Sequence, residues 1–129
     1  MAVNLISIIT ASFNDASGLS TLAEQLRTEQ RELFQWIVID GGSTDNTVEI
    51  AQTHADLIDV FVSEPDQGVY DAWNKGLALA SGMWVLFLGC DDRLGKGWLE
   101  EVAQTPTDCD LVYGDLILLS QDRQRFRIK

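Results

Sequence analysis

The sequence predicts an α/β fold, a mainly parallel sheet with helices on its faces. Two observations carry that expectation. Short, β-branched apolar runs of strand length recur along the chain, and between them apolar residues return at helical spacing. Each run also ends abruptly in polar or turn-forming residues, so the pattern strand, loop, helix repeats several times.

Leu5-Ile6-Ser7-Ile8-Ile9-Thr10 is the first such run, closed by Ala11-Ser12-Phe13-Asn14-Asp15, and it predicts a buried strand. Leu19, Leu22, Ala23 and Leu26 then recur at helical spacing with Glu, Gln and Arg between them. Trp36-Ile37-Val38-Ile39-Asp40 predicts a second buried strand that runs straight into Gly41-Gly42-Ser43-Thr44-Asp45-Asn46. Ser43 and Thr44 are the expected start of a helix with Val48, Ile50 and Ala51 on one face, and Asp45 and Asn46 are expected to cap it. A third strand is expected over 59–62. After the turn-rich 63–68, Val69, Trp73, Leu77 and Ala80 mark another helix, which Ser81-Gly82 ends. A fourth strand over 83–88 follows. Further on, a short helix over Trp98–Ala103, a strand over 110–115, and a hairpin of 116–120 with Arg125–Ile128 around 121–124 are expected. No internal repeat or low-complexity linker interrupts the series.

At 129 residues the chain is expected to form one domain, residues 1–129. With 46% hydrophobic and 22% charged residues it has an ordinary globular composition rather than a disordered one. No run reaches the roughly 18 apolar residues of a membrane span, and no basic segment precedes an apolar signal core. A cytoplasmic location is therefore expected, peripheral at the inner membrane face for a longer protein. The 20 acidic and 9 basic residues leave a formal charge of −11, a field that repels nucleic acid and anionic membranes. A phosphate ligand must arrive with a cation or meet a local positive patch. Cys90 and Cys109 lack zinc-ligand spacing and are expected as reduced thiols, and His54, near a helix end, as a surface or capping residue.

In open parallel sheets, ligands bind outside the carboxyl ends of the strands. Thr10, Ser12 and Asn14 follow the first strand, Asp40 the second, and Asp91 and Asp92 the fourth, while Asp66 and Gln67 precede the third helix. A single Asp in such a loop is often only a cap. Two adjacent carboxylates after the apolar run 83–88 exceed what capping needs. They point to a hard divalent cation, Mg²⁺ or Mn²⁺, which takes one or two carboxylates and completes its shell with water and phosphate. At about 4 Å and an effective dielectric of 20, a carboxylate and a phosphate charge repel by about 4 kcal/mol, and a bridging cation reverses the sign. No G-x-x-x-x-G-K-[ST] is present, and no G-x-G-x-x-G follows the first strand.

The segments "SIITASFN" (7–14), "WIVIDGGSTDNT" (36–47), "SEPDQGVYDAWNKGLALASG" (63–82) and "VLFLGCDD" (85–92), with "LVYGD" (111–115) as a weaker fifth, resemble the nucleotide-binding half of a family 2 glycosyltransferase. The resemblance implies the Rossmann-like GT-A fold, truncated before its acceptor-binding part. It implies inverting transfer of a sugar from a nucleotide-diphosphate donor, UDP foremost with dTDP or GDP as alternatives, to a hydroxyl acceptor in glycan or polysaccharide synthesis. By the same resemblance Thr10 and Ser12 would contact the uridine and Asp40 would bond the base. Asp66 and Gly68 would enclose base and ribose, Asp91 would lie near ribose and sugar, and Asp92 would ligate the metal. Cys90 stands where the family often has the first Asp of Asp-x-Asp, and a thiol suits packing better than Mg²⁺. Inversion needs a carboxylate to deprotonate the acceptor; Asp115 is the late acidic candidate near sugar or acceptor, and the base itself is expected beyond Lys129.

Two readings compete. A Mg²⁺-dependent receiver domain has this length and alternation, but its acidic pair would follow the first strand, where Thr10-Ala11-Ser12 stand instead. A non-catalytic nucleotide-binding fragment would share the fold without turnover. Trp36, Trp73 and Trp84 are expected in the core, Trp98 has the better claim to stack on a sugar, and Lys75 is expected in solvent. Exposed strand edges are an expected route to a homodimer.

Overall fold

The computed structural model describes residues 5–106, 108–112, 114, 116–119 and 125–128, the last two stretches as backbone. Four strands, β1 (Ile6–Ser12), β2 (Phe34–Asp40), β3 (Val60–Ser63) and β4 (Trp84–Phe87), form one parallel sheet in the order β3-β2-β1-β4. The helices are α1 (Ala16–Arg27), α2 (Thr47–Thr53), α3 (Val69–Leu79) and α4 (Trp98–Ala103), and a 3₁₀ turn at Arg31–Leu33 leads into β2. Backbone strands β5 (Leu116–Leu119) and β6 (Arg125–Ile128) pair antiparallel, as the expected hairpin requires; its turn, 121–124, lies outside the described residues.

Alternation along the strands sorts side chains onto two faces. Ile6, Ile8, Trp36 and Val38 face α1 and α4, meeting Leu19, Leu22, Leu26, Leu99 and Val102 in the larger core. On α1 the apolar stripe is fully buried, and each leucine contributes about 2 kcal/mol of transfer free energy. Asp15 begins that helix by accepting a hydrogen bond from the Gly18 N–H at 3.1 Å. Ile9, Ile37 and Ile39 face the other way, against Ala72 and Trp73 of α3.

Helix α3 lies close on the sheet because position 76 has no side chain. A Cβ there would stand 2.4 Å from Ile9 Cγ2, inside contact distance. Gly76→Ala is therefore expected to cost about 1–3 kcal/mol through overpacking, read as a lower Tm; an unchanged Tm would show that Ile9 yields freely.

Several boundaries differ from expectation. Strand β1 continues through Ala11 and Ser12, whose register partners are Ile39 and Asp40. Helix α2 starts at Thr47 rather than at Ser43 or Thr44, because hydrogen bonds to Asp40 and Asn14 hold those two residues in the preceding loop. Asp45 does cap, accepting from the N–H and hydroxyl of Thr47, whereas Asn46 makes no side-chain cap. Residues 110–112 form no strand: Asp110 and Leu111 are exposed and pair with nothing in a ladder, while Tyr113 and Asp115 fall outside the described residues.

The strand order matters for function. The chain moves from β1 outward to β3, then returns to place β4 on the opposite side of β1. Such a reversal opens a crevice at the carboxyl ends of the strands flanking it.

Candidate functional site

The carboxyl ends of β1, β2 and β3 align Ser12, Asp40 and Ser63 in one row. Asp40 is fully buried at its centre. Its Oδ1 accepts from Ser12 Oγ (2.9 Å) and Ser43 Oγ (2.5 Å), and its Oδ2 from Gly42 N (3.1 Å), Ser43 N (2.8 Å) and Ser63 Oγ (2.8 Å). Burial alone would raise the pKa of this carboxyl, but the bonds from Ser43, Ser63 and Ser12 outweigh it and hold the pKa below its ordinary value. The 41–45 loop has a second anchor in Asn14. That residue adopts φ 50°, which Asn tolerates, and its Oδ1 accepts from Thr44 N at 2.8 Å and Asp45 N at 3.3 Å.

A cavity of about 450 Å³ opens above this platform, on the α3 side. Ala11 and Ser12 line it from β1, Phe13 and Gly41 from just beyond the ends of β1 and β2, and Asp66, Gly68, Val69 and Ala72 from the approach to α3 and its first turn. Phe13 is 64% exposed, an aromatic ring presented to solvent at the cavity wall. The Asp66 carboxylate lies over Gly41, so that a Cβ at position 41 would stand only 3.0 Å from its Oδ2. It also accepts from Gly68 N at 3.0 Å, and Gly68 holds φ 112°, a conformation L side chains rarely adopt.

Of the residues expected to meet a nucleotide, the fold brings Ser12, Asp66 and Gly68 to this cavity. Thr10 it does not: the side chain is fully buried, and its hydroxyl accepts from Trp36 Nε1 at 2.9 Å. Nor does Asp40 line the cavity. An ionised carboxylate offers about four lone-pair sites, and five protein donors already address this one. Its place is structural, tying three strand ends and a loop together.

Asp91 and Asp92 leave β4 across the reversal point from β1. Leu88 N extends the ladder by donating to Ile9 O at 3.0 Å, and Cys90 Sγ rests 3.8 Å from Ala11 O, beside the cavity's lining. Asp92 N donates to Gly89 O, while Gly89 N donates to Asp92 Oδ2 at 2.8 Å. Both carboxylates are exposed, and Asp92 Oδ1 and the whole Asp91 carboxylate accept no hydrogen bond among the described residues. Burial, reinforced by Asp15 and Asp91, pushes the Cys90 thiol up to about 12. The Cys90 side chain is buried in the larger core, as a packing residue is.

Among the described residues, no three His, Cys, Asp or Glu side chains gather into a preformed metal cage. Two exposed carboxylates with open oxygens still fit a Mg²⁺-type ion, whose remaining ligands are water and phosphate.

The sequence resemblance can be weighed against this geometry. The sequence profile described as Glycosyl transferase family 2 matches residues 7–127. The chain belongs to family 2 of the glycosyltransferases. A PGL/p-HBAD biosynthesis glycosyltransferase of Mycobacterium bovis is 39% identical over 127 residues, covering 93% of this chain and 50% of the relative. The family 2 domain thus spans about half the length of the curated relatives it matches. S. aureus TarS 1–349 in complex with UDP-GlcNAc superposes with a TM-score of 0.69 at 27% identity, over 76% of this chain and 30% of that one. The mannosyltransferase PcManGT of Pyrobaculum calidifontis, solved with GDP-Man and Mn²⁺, gives 0.59 at 26% identity, over 67% and 27%. The parallel sheet with flanking helices is that of the GT-A glycosyltransferases.

Other expectations can now be placed. Trp36 is buried, and Trp73 and Trp84 are half-buried against the two cores. Trp98 packs partly buried on the larger core. Lys75 pairs with Glu64 at 3.0 Å instead of standing alone in solvent. His54 follows α2 at the surface, its Nδ1 3.1 Å from Arg27. Both cysteines are free thiols, and no helix among the described residues is long and apolar enough to cross a membrane. Phe13 went unremarked in the sequence, although an aromatic ring between two polar residues at a strand end was the available signal.

Proposed function

We propose that this family 2 domain binds the nucleotide-diphosphate donor, foremost a UDP-sugar, of an inverting, metal-dependent glycosyltransferase that glycosylates a hydroxyl acceptor in glycan or polysaccharide synthesis at the cytoplasmic side. The observation that carries the reading is the cavity at the β1 strand end, with an exposed aromatic ring, a carboxylate over Gly41 and two open carboxylates on the adjoining loop. A base would stack on the ring, its imide N–H would donate to the first carboxylate, and a cation accompanying the diphosphate would take the other two.

Phe13 supplies the apolar face on which the base stacks. Asp66, rather than the saturated Asp40, is the carboxylate placed to accept an imide N–H, and Ser12 and Gly68 close the wall. Asp92, with Asp91 beside it, would hold Mg²⁺ or Mn²⁺ against the diphosphate; the ion, when bound, offsets charge developing on the departing diphosphate. In the transfer, the bond from anomeric carbon to diphosphate oxygen breaks as the acceptor oxygen attacks from the opposite side. The acceptor proton must pass to a base, a role we assign to none of the described carboxylates.

Phe13→Ala tests the stacking role. Loss of base stacking is worth about 1–3 kcal/mol, so UDP affinity is expected to fall by roughly one to two orders of magnitude in a calorimetric titration. An unchanged affinity would remove Phe13 from the site and with it this placement of the base.

A further inference from the structure

The loop that carries Asp91 and Asp92 runs from β4 to α4, and a single side chain from α1 clamps its middle. Gln25, on α1, donates from Nε2 to Leu94 O at 2.7 Å and accepts at Oε1 from Leu94 N at 3.1 Å. One amide thereby satisfies both backbone groups of a residue two positions beyond Asp92, as a neighbouring strand would. Arg93 bonds only inside the loop, to the carbonyls of Cys90 and Asp92. Helix α4 reaches only the end of the loop, Trp98 N donating to Gly95 O and Glu101 N to Gly97 O, so among the described residues the two bonds with Gln25 are the only hydrogen bonds that tie 91–94 to another strand or helix.

The partners of α1 explain why that anchor is rigid. Leu22 and Leu26, on either side of Gln25, are fully buried against the sheet, so the helix cannot shift to follow the loop. Asp92 itself is held only by bonds within the loop, to Gly89 and, through its carbonyl, to Arg93. Without Gln25, residues 91–94 would keep no hydrogen bond to another strand or helix among the described residues.

We propose that Gln25 is a positioning residue for the acidic loop, setting where Asp91 and Asp92 present their open oxygens without itself touching donor or ion. This rests on the metal-and-diphosphate reading of the pair. Preorganisation of this kind matters where carboxylates must meet an ion and a diphosphate together, since a loosely held carboxylate loses ordering entropy on every binding event.

The test compares the full chain with Gln25→Leu, which keeps the bulk and removes both bonds, and Gln25→Glu, which keeps only the acceptor for Leu94 N. UDP and uridine are titrated with Mn²⁺ and with EDTA, the EPR spectrum of bound Mn²⁺ is recorded, and Tm is measured. In Gln25→Leu, the Mn²⁺-dependent gain in UDP affinity is expected to fall about tenfold and the Mn²⁺ spectrum to change, with uridine affinity kept; Gln25→Glu should lose about threefold. A lower Tm with the Mn²⁺-dependent gain intact would make Gln25 merely structural and overturn the proposal. So would equal weakening of uridine and UDP. If Gln25→Leu does not fold, the same comparison in Gln25→Glu decides. A wild-type protein with no Mn²⁺-dependent gain overturns the metal reading first, and this proposal with it.

Discussion

Replacing Asp92 by alanine is expected to remove the metal-dependent part of UDP binding, leaving the affinity in Mn²⁺ at the value measured in EDTA. The expectation follows from charge. The chain carries −11, and Asp15, Asp91 and Asp92 surround the end of β4 with no cationic side chain directed at their carboxylates among the described residues. A diphosphate approaching that loop meets about 4 kcal/mol of repulsion for each charge pair at about 4 Å, so it needs a cation to bind there. Asp92 offers an oxygen that accepts no hydrogen bond, and its other oxygen is oriented by Gly89 N at 2.8 Å. The loss should amount to at least about 100-fold in UDP affinity, about 2.7 kcal/mol, with uridine affinity preserved. Calorimetry with both ligands reads this directly. If Asp92→Ala kept a full Mn²⁺ response, the ion would be held elsewhere and Asp91 would be the next residue to replace.

Asp40→Ala is expected to destabilise the fold by about 2–4 kcal/mol, because donors from two neighbouring strands and a loop lose their common acceptor inside the protein. The hydroxyls of Ser12, Ser43 and Ser63 supply three of the five bonds, so each single serine replacement should cost less. The pH dependence follows from the same bonds. Hydrogen bonding holds the folded pKa of Asp40 below its unfolded value, so the unfolded chain takes up the proton more readily. The stabilisation is complete above the unfolded value of about 3.9 and is lost as pH falls through the lower folded value. Asp45 and Asp56 are lowered too, by Thr47 and Arg27, and titrate in the same acidic window. The contribution of Asp40 is therefore the difference between the wild type and Asp40→Asn in urea unfolding from pH 7 down to 3. That difference should shrink as the pH falls below about 4. A gap independent of pH would mean that the carboxylate charge contributes nothing to the network.

Much of the scaffold was legible because its signals are local. The β-branched runs and the Leu19, Leu22, Leu26 stripe each follow from one period, and the helix Trp98–Ala103 came out with the expected limits. The start of α2 was not legible, since Ser43 is captured by Asp40 and Thr44 by Asn14, partners that sequence distance hides. Asp40 shows the same limit at the site. Its position at a strand end was readable, and so was its parity with Trp36 and Val38, which turn toward the buried face. The residue type drew attention to chemistry, whereas parity pointed inward to structure. Thr10 follows the same rule, sharing its face with Ile6 and Ile8. Gln25 had no signal at all, because an amide on a helix acquires meaning only when the fold brings Leu94 against it.

The family assignment and the cavity leave one claim at the centre, that the strand-end cavity and the acidic loop together hold a nucleotide diphosphate through a divalent ion. The most direct test is calorimetric titration of UDP into the unaltered chain, once with Mn²⁺ and once with EDTA. The account predicts saturable binding with Mn²⁺ and a loss of at least about 100-fold in affinity with EDTA. Equal affinity in the two conditions, or no binding in either, would contradict it.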